Sequence, residues 1–211
     1  MNTARLARLA PLSGVAFLVF ALAGVLTMGE SPDFPGTPAE WASYFADDEQ
    51  AIIMGAWIFS YGLFFLLWFL GSLASVARRA EGGDGRVSRL AYGGGVAGAT
   101  LMLAGNGAIF MAGLRVDEAD TISGDVATVY GDLFSALAFI AAPVAFAVLV
   151  GGLTVISTRT PFLPTWLTWV SGLLAVALLI PFISWAAVCV FALWCAVVGT
   201  WLYVKAAPDQ A

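Results

Sequence analysis

The sequence predicts an all-α integral membrane protein, a bundle of six helices, and three observations carry that reading. Of 211 residues, 61% are hydrophobic and only 11% charged, whereas a soluble domain is nearer half apolar and a quarter charged. Mean hydropathy is +0.91, and several runs exceed the ~18 apolar residues that mark a spanning helix. The third observation is that the basic residues fall between these runs in a pattern that an even number of crossings explains.

The chain reads as a single transmembrane domain, residues 1–211. Its spans are expected near Leu12–Met28, Ala51–Ala77, Leu90–Leu114, Val126–Ile156, Leu163–Leu179 and Ser184–Val204, with an outer cap over 29–50. The first span follows Arg5 and Arg8 in the manner of a signal peptide. It lacks a clear A-x-A cleavage site and is long enough to cross, so it is expected to be retained. No polar loop separates Leu163 from Val204. One helix of that length would measure about 60 Å against a hydrocarbon core of about 30 Å, so the chain must reverse. Pro181, in "IPFIS", is the only breaker available.

With six spans, Arg5, Arg8, Arg78, Arg79, Arg86, Arg89, Arg159 and Lys205 share one side, and only Arg115 of the nine basic residues falls opposite. The positive-inside rule then places both termini in the cytoplasm. The outer side collects Glu30, Asp33, Glu40, Asp47, Asp48, Glu49, Asp117, Glu118, Asp120 and Asp125. Trp166, Trp169, Trp201 and Tyr203 are expected at the inner interface, and Trp41 and Trp185 at the outer one.

The outer cap, "GTPAEWASYFADDEQAII", holds two helix starts in series. Thr37-Pro38-Ala39-Glu40 has the form of a capping box with proline at the first helical position. The short amphipathic helix after it sets Trp41, Tyr44 and Phe45 on one side. Asp47 would then launch the second span, with acid at the positive end of its dipole. Asp47, Asp48 and Glu49 are consecutive, so on a helix they diverge by about 100° each and do not converge on one ion. The cap thus has a structural reason and no metal is expected. Its aromatic face is expected to cover the apolar outer turn Ile180–Ile183.

Span three is rich in small residues. Gly94 and Gly98 form a G-x-x-x-G pair, and Gly93, Ala97, Thr100, Ala104, Ala108 and Ala112 trace a further ridge, so it is expected at the centre of the bundle. Asn106 is the one strongly polar side chain well inside a span. It should face protein or a cavity, either as an interhelical hydrogen bond or as the lining of a ligand pocket. Tyr61 and Ser60 pose the same choice in span two. Asp132, near the outer edge of span four, reads as half of an ion pair with Arg115 or as a substrate- or proton-binding carboxylate. Pro143 should free the carbonyl of Phe139. Cys189 and Cys195 lie on different faces of one helix, too far apart for a bridge.

Histidine is absent, which removes the commonest general base and metal ligand. No nucleotide, zinc, haem or calcium motif is present and no cofactor is expected; "EGGDG" at 81–85 lacks the lysine and flanking strand of a phosphate loop. No catalytic residue is nominated. "RLAPLSGVAFLVFALAG" from Arg8 aligns with "RLAYGGGVAGATLMLAG" from Arg89, and "SGLLAVALL" from Ser171 echoes the first more weakly. Such matches arise by composition as well as by repetition. A true repeat would make three helical hairpins of one orientation.

The order of a span, a Pro-rich outer loop, "AEWASYFADD" then "GAW", "LLWFLGSLASVARRAEGG" running into "RLAYGGGVAG", and "TRTPFLPTWLTWVSGLLAVALL" resembles uncharacterised six-span membrane proteins of high-GC Gram-positive bacteria, of the DUF4386-like kind. That resemblance implies a bacterial plasma membrane and six helices, and carries no activity. The expected role is non-enzymatic: binding, sensing or accessory, with a small apolar or lipid-like ligand between helices near Asn106, Asp132, Tyr61 and Arg115. The alternative is a small transporter or channel. Membrane lipids are the expected surroundings, a second copy or another membrane protein is a candidate partner, and nothing suits nucleic acid.

Overall fold

The computed structural model describes residues 8–33, 35–119 and 121–205. Arg5 and Asp120, used above to assign the two sides, lie outside them. Of the described residues 88% are helical, and none is in a strand. After a 3-10 turn at Ala10–Leu12, the helices are α1 (Ser13–Met28), α2 (Pro38–Asp47), α3 (Glu49–Glu81), α4 (Arg86–Ala119) and α5 (Gly124–Ser135). A π turn, Ala136–Ala141, joins α5 to α6 (Ala142–Arg159). Helix α7 (Thr165–Ala177), a 3-10 turn at Pro181–Ile183 and α8 (Ser184–Lys205) complete the described residues.

Five helical segments are long and apolar enough to cross a membrane: Ala10–Met28, Glu49–Glu81, Arg86–Ala119, Gly124–Arg159 and Pro181–Lys205. The sixth differs from expectation. The run Leu163–Leu179 contracts to α7, with 13 residues, about 20 Å long at 1.5 Å per residue. The reason is local. Pro164 caps α7 in an extended conformation (ψ 151°), and Phe162 and Leu163 are buried as non-helical chain.

The long segments alternate in direction, and the three hairpins α1–α3, α4–α6 and α7–α8 close into a ring through the seams α3–α4, α6–α7 and α8–α1. Glycines set the close seams. A Cβ on Gly24 would sit 2.8 Å from the Gly55 carbonyl, and one on Gly94 2.7 Å from that of Ala145. The G-x-x-x-G pair therefore serves internal packing, with Gly98 seated on the Phe146 ring. Helix α4 is a member of the ring, flanked by α3 and α6, and is not encircled by the others. Its ridge from Gly93 through Ala97, Thr100 and Ala104 faces outward, and only Ala108 and Ala112 of that ridge are buried. Phe69, Phe146 and Phe191 are fully buried in the core, where the last two stack at 4.2 Å.

Both ends of the described chain meet at one end of the ring, where the Arg8 guanidinium lies 5.4 Å over the Tyr203 ring. Pro143 acts as expected. The chain takes a π turn just before it, and the freed Phe139 carbonyl accepts from Ser184 Oγ at the start of α8. Cys189 is exposed and Cys195 buried, on different faces.

Candidate functional site

At the opposite end of the ring, α2 begins as the sequence predicts. Thr37 N–H donates to Glu40 Oε2 (2.7 Å) and Glu40 N–H donates to Thr37 Oγ1 (3.3 Å), which closes the capping box. The Thr37 amide, and after it the Thr37 hydroxyl, hold the Glu40 carboxyl below its usual range. The second start differs by one residue. Asp48 caps α3, accepting from Ala51 N–H at 3.0 Å, while Asp47 ends α2 and accepts from Ser43 Oγ. Either acid satisfies the sequence pattern; the chain reverses at Asp48, whose φ of −155° and ψ of 72° leave it outside both helices.

The aromatic face of α2 does not cover the Ile180–Ile183 turn. Trp41 and Phe45 are fully buried against Ile109, Ala112 and Val116 of α4 and Ala127 of α5, and Phe182 is left 90% exposed. The determinant is Gly131 on α5: with no side chain there, the Trp41 indole lies directly on its backbone. Trp41 is thus a buried wedge and not an interfacial anchor. Tyr44 donates to the Met28 carbonyl (3.3 Å), and burial pushes its phenol up to about 12.

The four nominated ligand residues do not form one site. Asn106, 2% exposed, donates from Nδ2 to the Ala56 carbonyl (2.9 Å) and to Ser60 Oγ (3.0 Å), tying α4 to α3. Beside it lies a hollow of only about 100 Å³, bordered by Trp57, Ser60 and Phe110, well below the 300–1,000 Å³ typical of ligand pockets. Tyr61 turns outward, 53% exposed, against Phe20 and Trp57. Arg115 donates from Nε to the Tyr130 phenol oxygen (3.1 Å) and forms no ion pair with Asp132, whose Oδ1 is buried without a partner. Among the described residues, no three His, Cys, Asp or Glu side chains are grouped as a metal site.

Larger hollows in this region lie elsewhere, on either side of the Glu30–Asp33 loop, one of about 760 Å³ against α2. A cleft of about 870 Å³ opens between the loop Glu30–Pro35 and the junction of the π turn with the start of α8. Phe139, Ile140, Pro181, Phe182 and Trp185 form its apolar wall, and Glu30 and Asp33 stand on its rim. Ser135 and Ser184, each 3% exposed, lie at its base. The Ser184 hydroxyl is committed to the Phe139 and Pro181 carbonyls. Ser135 is different, because its hydroxyl makes none of the hydrogen bonds found among the described residues. Most other helical Ser and Thr hydroxyls bond a carbonyl one turn back. Sequence reasoning missed this cleft. Two signals pointed to it: a serine about two turns before the helix irregularity at Pro143, and a charged Pro-rich loop on the same side as the bare apolar turn.

No protein-family model matches this chain, and neither a curated protein nor a solved structure matches it.

Proposed function

We propose that this is a six-span protein of a bacterial plasma membrane, both termini cytoplasmic, that binds an amphiphile in the cleft between the Glu30–Pro35 loop and the π turn. The alternating ring supports six crossings, with Phe162, Leu163, Leu178 and Leu179 extending the apolar reach of α7. The side with Arg78, Arg79, Arg86, Arg89, Arg159 and Lys205 is inner by the positive-inside rule. The role is non-enzymatic binding or sensing, in keeping with the DUF4386-like resemblance.

The observation that carries this reading is the cleft itself, apolar-walled, acid-rimmed and floored by the Ser135 hydroxyl, which has no partner among the described residues. A hydrocarbon body fits against Phe139, Ile140 and Trp185. A hydrogen-bond-donating or cationic head fits Glu30 and Asp33. A transporter or channel needs a polar route through the ring, and the axis is occupied by Phe69, Phe146 and Phe191 while Asn106 is already bonded.

The test is quenching of tryptophan emission in nanodiscs by brominated dodecylamine and by the equally long brominated carboxylic acid. The amine should quench the component that Trp185→Phe removes, the acid should not, and Ser135→Phe should block the effect. Equal quenching by both probes, or no change in Ser135→Phe, would sink the proposal.

A further inference from the structure

The seam between α6 and α7 is looser than the glycine-set seams α1–α3 and α4–α6. At the α1–α3 and α4–α6 seams an added Cβ on the facing glycine would strike main chain, 2.7 Å from the Gly24 carbonyl for Gly55 and 2.7 Å from the Ala145 carbonyl for Gly94. On Gly172 it would meet only the Thr154 methyl at 3.5 Å, and on Gly151 only Ala175 Cβ at 3.8 Å. The space opens as a groove of about 750 Å³ at the end of the bundle that holds Arg159 and Lys205. Its cause is the short α7. Pro161 to Pro164 run as non-helical chain, so α7 does not extend beside the last turn of α6.

Two further facts point to an occupant. Ser157 lines the groove with its Oγ buried and without a partner among the described residues, while Thr154, Thr158 and Thr168 on the same walls each donate to a main-chain carbonyl. A buried hydroxyl without a partner forfeits a hydrogen bond that an entering acceptor can restore. The second fact is charge. From Leu133 to Lys205 the chain contains no carboxylate, and its two cations, Arg159 and Lys205, both stand at this end. Lys205 Nζ is anchored 2.8 Å from the carbonyl of Pro161, itself a residue of the groove wall. An ammonium already held in place presents its remaining protons with little further loss of side-chain freedom. Leu173 and Val176 continue the groove as exposed apolar surface along α7.

We infer that this groove binds an anionic glycerophospholipid of the surrounding bilayer. The phosphate sits against Lys205 and Arg159, the ester region meets Ser157, and one acyl chain lies along Leu173 and Val176. Basic pockets between membrane helices suit such headgroups through charge attraction. The site is separate from the cleft at the other end of the ring, and it does not depend on which side of the membrane this end faces.

Native mass spectrometry tests it on the full chain released from phosphatidylcholine nanodiscs that contain a minority of phosphatidylglycerol. The wild-type protein should retain phosphatidylglycerol enriched about fivefold for each cation engaged. Arg159→Gln with Lys205→Gln should abolish the enrichment, Ser157→Ala should lower retention, and Gly172→Leu should remove the bound lipid by filling the space over Thr154. Equal retention of both lipids by the wild-type protein would overturn the proposal without any variant. Enrichment that persists in Gly172→Leu would also overturn it, by placing the lipid on the general basic surface.

Discussion

The seat of Trp41 on Gly131 gives the sharpest prediction. In Gly131→Ala the new Cβ would lie 2.6 Å from indole Cζ2 and closer still to Cδ2 and Cε2. Carbon pairs rest at about 3.5–4.0 Å, so the indole must retreat by about 1 Å. It has no free side to retreat into: Phe45 stacks on it at 5.8 Å, Tyr44 meets it edge-on at 5.9 Å, and Nε1 lies close to Gly36. Two outcomes compete. Complete release of α2 would expose Trp41 and Phe45, about 400 Å² of apolar surface together, which at about 25 cal/mol per Å² costs up to about 10 kcal/mol. Overpacking with the cap still docked costs about 1–3 kcal/mol, so the cap stays down under strain. A cost of about 2 kcal/mol accelerates local opening about 30-fold. Hydrogen–deuterium exchange of the α2 amides in nanodiscs should show that acceleration while α4 keeps its protection. Trp41→Leu should also cost at least about 1 kcal/mol less in the Gly131→Ala background than in the wild-type protein, because the two sites are in contact. Exchange in α2 within about a factor of two of wild type, together with additive costs, would show that the indole does not rest on Gly131.

Three further outcomes are expected. Ser184→Ala leaves the Phe139 carbonyl at the π turn without its donor, so stability in detergent should fall by about 1–3 kcal/mol, and Ser184→Thr should recover part of it. Asn106→Leu removes the bonds to Ala56 and Ser60 and should cost only about 0.6–1.7 kcal/mol, the range of polar contacts between membrane helices, when read by reversible unfolding in mixed micelles. The cap should weaken at both ends of the pH scale. Glu40 is depressed when folded, so its contribution is present above the ordinary carboxylate range and is lost as pH falls through the folded value. Tyr44 is raised to about 12, so its contribution is complete below the unfolded value near 10 and is lost as pH climbs toward 12. Exchange rates of α2 across pH, with Thr37→Ala and Tyr44→Phe, check both signs, and a flat alkaline limb in the wild-type protein would refute the second.

Much of this architecture was legible because hydropathy and capping are local. Thr37 and Glu40 stand three residues apart around Pro38, and that spacing suffices to specify the box. The Pro143 ring likewise identifies which carbonyl must be freed. What failed was whatever depended on a distant partner. The amphipathic face of α2 tells that Trp41 must be buried but not where, since the slot is made by a glycine some ninety residues later in the chain. Asn106 could be read as inward-facing, yet nothing local says that Ala56 and Ser60 would consume its donors. Leu163 and Leu179 looked helical because both are apolar, but extended backbone at Pro164 delayed the start of α7 and the turn leading to Ile180 ended it early. Ser135 carried no periodic signal at all, because an unbonded hydroxyl is visible only once its neighbours are in place.

Ring closure also imposes an order on synthesis. The seam of α8 with α1 joins the last helix to the first: Gly14 is fitted to the Cys195 carbonyl and Gly199 to that of Pro11. Helix α1 therefore enters the membrane with a glycine notch shaped for a strip of chain the ribosome has yet to make. Until α8 arrives, five finished segments form an open horseshoe whose two lips face lipid. A chain stopped anywhere before Ser184 would keep that notch vacant, available to α8 of another copy. Fragments alone have no α8 to donate, so exchange should appear only when full-length protein is expressed beside them and lends its α8 to their notch.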